Sequence, residues 1–294
     1  MQFPHPPMPA FAPDRAAEFQ SYSRYEDVAQ DGRLMPLALP HSMSGLWQAA
    51  IVNTPGARNS IAKGVIPILT RLTLATHDQS VRVDRPVNVR AGFDLAHARD
   101  AAGEVTRLFM NVWCEVSGVA GRIGPRAADG ALAPAGTLFA EHTFTRPLAP
   151  PDQRRVTRLE AEGYPDIPPT RYDAPAPETA QDAPAGGTWT SELEPDPSEM
   201  AFTLDQTDSN QHVNSLIYIR VFLEAAQRRI AAAGLPLKIR SRAVDIAYRK
   251  PCFAGDKVRA HTRLFDTGGQ PGAAGFIAGT DGKPRCYVRV SYST

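Results

Sequence analysis

The 294-residue sequence predicts an α+β protein built as two halves on one plan, each a long helix followed by an antiparallel run of strands. Three observations predict it. The order strand, helix, strands occurs twice along the chain, and a proline-dense stretch separates the two occurrences. The composition, 43% hydrophobic and 21% charged, is that of a folded globular chain. At this length the chain holds one large domain or two of ordinary size, and the proline stretch favours two.

Residues 1–20 carry clustered prolines and read as an extended arm that frays or lies along the surface. With no basic start and no unbroken apolar core, they do not read as a signal peptide. Residues 21–148 form the first half. A strand is predicted over 23–28, with Asp31-Gly32 turning the chain after it. Leu39, Met43, Leu46 and Ala50 recur at three- and four-residue spacing, which predicts a helix stopped near Asn53-Thr54-Pro55-Gly56. Strands follow over 65–76, 81–95, 105–117 and 137–145, with 121–136 as a hairpin excursion.

Residues 147–198 hold 11 of the 27 prolines and cannot supply central strands or long helices, so 149–198 reads as a connector. Trp189 suggests that parts of it pack on the folded halves. Residues 199–294 form the second half. A short strand over 200–204 leads to a helix over 214–233, with Leu216, Ile219, Leu223, Ala226 and Ile230 at helical spacing and Gly234-Leu235-Pro236 as its stop. Strands are predicted over 242–248, 257–265, 276–278 and 286–292, with a Gly-rich turn over 268–275. That turn lacks the lysine and following helix of a phosphate-binding loop.

The formal net charge is +1, from 32 basic and 31 acidic side chains, and no basic tract interleaves with aromatics. Nucleic acid and an anionic membrane are therefore not expected partners. No apolar run approaches membrane-spanning length. Cys114, Cys252 and Cys286 are widely spaced, match no zinc pattern and cannot all pair within the chain, which fits a reducing cytoplasm. No metal and no cofactor is expected.

Chemistry concentrates in residues 205–218, D-Q-T-D-S-N-Q-H-V-N-S-L-I-Y. Asp208, Asn210 and His212 alternate just ahead of the second helix, whose first N–H groups form an electropositive pole. An acid, an amide and an imidazole so placed can position a nucleophile or water beside a carbonyl that the helix end polarises. Asp208 reads as a helix cap or as the reacting carboxylate, either nucleophile or general base. Asn210 orients a water or carbonyl, or supports a left-handed turn. His212 is a neutral imidazole at the helix entrance or a packed histidine.

The block D-S-N-Q-H-V-N-S-L-I-Y resembles the active-site segment of the acyl-acyl-carrier-protein thioesterases of plant and bacterial type, D-x-N-x-H-V-N-N-x-x-Y. It matches at Asp208, Asn210, His212, Val213, Asn214 and Tyr218. Residues 245–258, D-I-A-Y-R-K-P-C-F-A-G-D-K-V, look like the strand-turn-strand of the wider hotdog thioesterase superfamily, and S-R-Y-E-D-V-A-Q-D-G-R-L at 23–34 resembles the family's opening strand. The resemblance implies a double hotdog fold, with Asp208, Asn210 and His212 catalytic and Asn214, Tyr218 and Cys252 on the substrate side. As residues alone, Asn214 and Tyr218 fit loop and helix packing, and Cys252 a buried structural cysteine. One departure is plain: Pro251 stands where the plant-type enzymes carry a glutamate implicated in catalysis.

Aligning the halves through Asp27 and Asp205 sets Gln30, Gly32 and Leu34 opposite Asp208, Asn210 and His212, so the first half lacks the cluster and shapes the acyl pocket. His41 is then a surface or interface histidine. The resemblance implies hydrolysis of an acyl thioester on an acyl carrier protein or coenzyme A. Acyl transfer, dehydration and non-catalytic acyl binding are the alternatives. Two halves in one chain make a monomer self-sufficient, while exposed edges leave a homo-oligomer open. Arg154-Arg155, Arg228-Arg229 and the pair Arg240 and Arg242 are solvated arginines, or meet an acidic carrier.

Overall fold

The computed structural model describes residues 6–123 and 130–293. The chain divides into two compact units between Pro175 and Ala176. Residues 1–5 of the expected arm and 124–129 of the expected excursion lie outside the described residues.

In the N-terminal unit the arm is tied down rather than frayed. Phe11 packs on Trp113 with ring centroids 5.7 Å apart, and Trp113 Nε1 donates to the Pro6 carbonyl at 2.9 Å. Its last residues are β1 (Ala16–Ser21). The strand expected over 23–28 is instead a 3-10 turn, Tyr25–Asp27, closed by the Asp27 carboxylate on the Arg24 N–H. A side chain that satisfies the backbone locally competes with strand pairing there.

The first predicted helix is broken. Pro36–Ser42 is 3-10, α1 (Met43–Leu46) is a single turn, and Trp47–Ile51 is a π turn. Pro40 sits inside the 3-10 stretch and brings no N–H, which keeps the ladder from settling into the i→i−4 pattern. The predicted stop is also a second start. Thr54 Oγ1 accepts the Ala57 N–H at 3.2 Å, and Pro55 opens α2 (Pro55–Ala62), the first-turn position where proline costs nothing.

β2 (Ile66–Thr76), β3 (Val87–Arg99), β4 (Val105–Val119) and β5 (Leu132–Thr145) complete this sheet. The order is β1-β3-β4-β5-β2, antiparallel throughout, and β6 (Thr170–Arg171) adds in parallel to β3. β4 and β5 run further toward each other than predicted, which shortens the excursion between them. Leu39 seats directly over Gly136 of β5, where a Cβ would meet its Cδ2 at 2.7 Å.

The C-terminal unit begins within the proline-dense stretch, which is packed along its length. β7 (Thr188–Trp189), β8 (Glu194–Pro195) and β9 (Met200–Ala201) pair in turn with one long strand, β11. Trp189 lies under the Arg263 guanidinium, 3.3 Å from the ring centroid, and edge-on to Phe265. The strand expected over 200–204 shrinks to β9, followed by a 3-10 turn, Leu204–Gln206.

α3 (Ser215–Ala232) then packs against the sheet formed by β10 (Arg240–Tyr248), β11 (Lys257–Thr267), β12 (Gln270–Gly279) and β13 (Pro284–Ser293), in the order β10-β13-β12-β11. Ile219, Phe222, Ala226 and Ile230 have no exposed surface. Each of the larger ones contributes about 2–3 kcal/mol by burial. The glycine-rich turn narrows to Gly268 and Gly269, both at positive φ. Gly272 and Gly275 belong to β12, where a Cβ at Gly275 would collide with the His261 carbonyl. Both units are thus α+β, helices on antiparallel sheets.

Candidate active site

The polar block lies on a tight loop between the Leu204–Gln206 turn and α3. Thr207 and Val213 bridge across it, Asp208 N–H donates to the His212 carbonyl at 2.9 Å, and Gln211 N–H donates back to the Asp208 carbonyl at 2.9 Å. Gln211 takes the left-handed conformation that closes the loop, with φ 64°. Asp208 and His212 are half-buried, and Asn210 is exposed. The loop holds all three on one short hydrogen-bonded turn.

Asp208 uses one oxygen to shape the turn, since Oδ1 accepts the Asn210 N–H at 2.9 Å. Among the described residues Oδ2 has no hydrogen-bond partner. Forming the turn therefore occupies one oxygen of the carboxylate and leaves the other. Asn214, not Asp208, caps α3: its side chain accepts the Leu216 N–H at 2.9 Å, and its carbonyl accepts the Ile217 N–H at 2.9 Å. The pole at the helix start is therefore narrower than the sequence suggested. Ser215 N–H is the first-turn donor left without a protein acceptor among the described residues.

The turn at residues 251–253 is stitched to this loop. Val213 N–H donates to the Cys252 carbonyl at 2.8 Å, and Cys252 N–H donates to the Tyr218 hydroxyl at 2.8 Å. Cys252 has no exposed surface and Tyr218 is 3% exposed, so both side chains are buried. Burial pushes the Cys252 thiol up, against the pull of its neighbours Tyr218 and Arg285, which disfavours a thiolate. Burial also pushes the Tyr218 hydroxyl up. Pro251 is exposed and supplies no acid. Beside it Phe253 meets His212 edge-on, with centroids 5.2 Å apart and planes at 71°. Sequence reading passes over Phe253, because a lone phenylalanine in a turn carries no motif.

The N-terminal unit repeats this loop with different side chains. There too a 3-10 turn, Tyr25–Asp27, precedes a bridge, Val28 to Leu34. Met35 N–H donates to the Asp27 carbonyl at 2.8 Å, as Asn214 N–H does to Gln206 at 2.8 Å. Gly32, at φ 83°, takes the place of Gln211. The hydrogen bonds set Ala29, Asp31 and Arg33 opposite Asp208, Asn210 and His212, which corrects the alignment through Asp27 and Asp205 by one residue. His41 is exposed at the end of the 3-10 stretch and outside this loop.

The arginines are largely spent on structure. Arg228 pairs with the buried Asp196 at 3.0 Å, Arg229 with Glu194, and Arg154 and Arg155 donate to the Ala149 and Thr106 carbonyls. Among the described residues no group of three His, Cys, Asp or Glu could hold a metal ion, and no helix is long and apolar enough to cross a membrane.

Residues 198–292 match the family model of the acyl-ACP thioesterase C-terminal domain. No curated protein matches the chain. Among solved structures, an acyl-ACP thioesterase from Bacteroides thetaiotaomicron VPI-5482 aligns over 95% of this chain and 98% of its own, with a TM-score of 0.60 and 15% identity. The 12:0-ACP thioesterase from Umbellularia californica aligns over 97% of this chain and 99% of its own, with a TM-score of 0.59 and 13% identity. The chain therefore has the fold of the acyl-ACP thioesterases, and its residues 198–292 are similar to their C-terminal domain.

Proposed function

We propose that this protein is a thioesterase that hydrolyses an acyl thioester, carried on an acyl carrier protein or coenzyme A, to the free acid. The observation that carries the reading is the Asp208 carboxylate. It is fixed through Oδ1 and open at Oδ2 on the loop that enters α3, inside the segment that matches the thioesterase domain. Oδ2 attacks the thioester carbonyl or takes a proton from the attacking water. Ser215 N–H, at the positive end of an 18-residue helix, offers a hydrogen bond to the oxyanion that develops. Asn210 and His212 orient the water and the thioester, and Asn214 holds the helix start in place.

In this reading the fold is a double hotdog with one site per chain, and no cofactor takes part. The N-terminal half, with Ala29 where the acid would stand, shapes the acyl pocket. The protein acts in the cytoplasm, with no membrane or nucleic-acid partner.

The test is release of free thiol from a panel of acyl-carrier-protein and coenzyme A thioesters by wild type and Asp208→Asn. Turnover by wild type and a loss of about 10³-fold or more in kcat for the variant are expected. Wild type inert on the whole panel, or an unimpaired variant, would refute the assignment. Product appearing only as an ester or amide of an added acceptor would point to acyl transfer instead.

A further inference from the structure

We propose that Phe253 is a positioning residue for His212, holding the imidazole at the angle in which it serves the carbonyl. The inference rests on the proposed thioesterase reading, because it takes His212 to act on the substrate.

Among the described residues no protein hydrogen bond fixes either ring nitrogen of His212. Its ring is oriented by packing, and the aromatic partner is Phe253, edge-on at 5.2 Å. A contact of this kind contributes about 0.5–1.5 kcal/mol and sets an angle between the rings. It replaces what an acid at position 251 could supply from the same turn, since the proline there neither donates nor accepts through its side chain.

The backbone makes the contact a built one. Val213, next to His212, donates to the Cys252 carbonyl at 2.8 Å, so the peptides bearing the two rings are joined directly. Phe253 is fixed on its other side as well. Its N–H donates to Asp256 Oδ2 at 2.9 Å, and its carbonyl accepts the Asp256 N–H at 3.1 Å. Yet Phe253 is 48% exposed. A large apolar side chain left half in water is poorly used as core, and its removal leaves no sealed cavity. That combination, a rigid backbone under an exposed ring set on an imidazole, suits orientation better than stability.

The test compares Phe253→Ala, Phe253→Leu and Phe253→Tyr with wild type and Asp208→Asn in steady-state thioester hydrolysis. The proposal expects kcat to fall about 10- to 100-fold in Phe253→Ala, in keeping with the cost of a misaligned catalytic group, with KM within about twofold. Phe253→Leu should fall nearly as far, and Phe253→Tyr should keep kcat within about threefold. In parallel, the His212 Cε1 proton resonance, assigned by its loss in His212→Gln, should move in Phe253→Ala and Phe253→Leu and return in Phe253→Tyr.

Thioester turnover that is lost in Asp208→Asn but intact in Phe253→Ala would overturn this proposal and leave the thioesterase reading standing. So would a kcat that falls equally in Phe253→Tyr and Phe253→Ala. Absence of turnover by wild type would sink the functional reading and the positioning role with it.

Discussion

Residues 24–35 in the N-terminal unit and 203–214 in the C-terminal unit make the same turn with different side chains. The hydrogen bonds agree one for one: Ala29 with Arg33 as Asp208 with His212, Gly32 with Ala29 as Gln211 with Asp208, Met35 with Asp27 as Asn214 with Gln206. The two loops lead into different structures. Beyond 203–214 lies an 18-residue helix capped by Asn214, with a spare N–H at Ser215. Beyond 24–35 lie Pro36 and a 3-10 stretch that passes into a π turn. One loop has Asp208 ahead of a long helix, and the other has Ala29 at that position ahead of a broken one. The backbone turn is therefore common to both units, and the acid–amide–imidazole cluster is present in one of them.

The left-handed position shows that division in miniature. Gly32 adopts φ 83° at no steric cost, and a Cβ there would meet the Ser80 Cβ at 2.9 Å. Gln211 adopts φ 64° with a side chain, a conformation that costs about 1–2 kcal/mol. The loop with Asp208 and His212 is the strained one.

Three measurements break or sharpen the comparison, beyond those on Asp208 and Phe253. The largest concerns acid. In the N-terminal unit burial against Trp47 pushes the His142 imidazole down to about 4, with Nδ1 3.3 Å from the Met110 carbonyl. A histidine depressed on folding binds fewer protons folded than unfolded, so stability rises with pH through this window. It is complete above the unfolded value near 6.5 and is lost as pH falls from there to about 4. The loss is about 3 kcal/mol, and His142→Gln should flatten it in urea unfolding monitored across that range. An equal slope in both proteins would show that His142 titrates as in the unfolded chain.

Exchange of the left-handed residues comes next. Gly32→Gln should destabilise by about 1–2 kcal/mol, and Gln211→Gly should be neutral to stabilising by up to about 1 kcal/mol. The midpoint of denaturant unfolding reads both, and effects of the same sign and size would deny that the loops are equivalent. The smallest effect is at the caps. Asn214→Ala and Thr54→Ala should each cost about 1 kcal/mol. Only Asn214→Ala should also lower kcat, because only that cap stands at the site; equal activity in the two would separate Asn214 from the chemistry.

Legibility in the sequence divides along the same line. α3 is legible because Ile219, Ala226 and Ile230 repeat at helical spacing over a stretch free of proline. The block from Asp208 to His212 is legible because its residue types are spaced as a known motif. The first helix misleads because Leu39, Met43, Leu46 and Ala50 keep the period while Pro40 denies the backbone its hydrogen bond. β1 is hidden because A-A-E-F-Q-S carries one large apolar side chain and little alternation. The register between the two loops slips by one because Asp27 and Asp205 look alike, whereas hydrogen bonds define the true pairing. Phe253 is out of reach, since its partner is supplied only when the turn at 251–253 folds onto the loop.

The central claim is that one loop of the pair carries the reaction. It is tested most directly by measuring thioester hydrolysis in two variants side by side. Asp208→Ala makes the second loop read like the first at the position of the acid, and Asp31→Ala with Arg33→Ala removes from the first loop the two polar side chains that stand opposite Asn210 and His212. The account predicts a kcat lowered by about 10³-fold or more in Asp208→Ala, and one within about threefold of wild type in the double variant. A double variant that loses activity as deeply, or an Asp208→Ala that keeps it, would contradict the account.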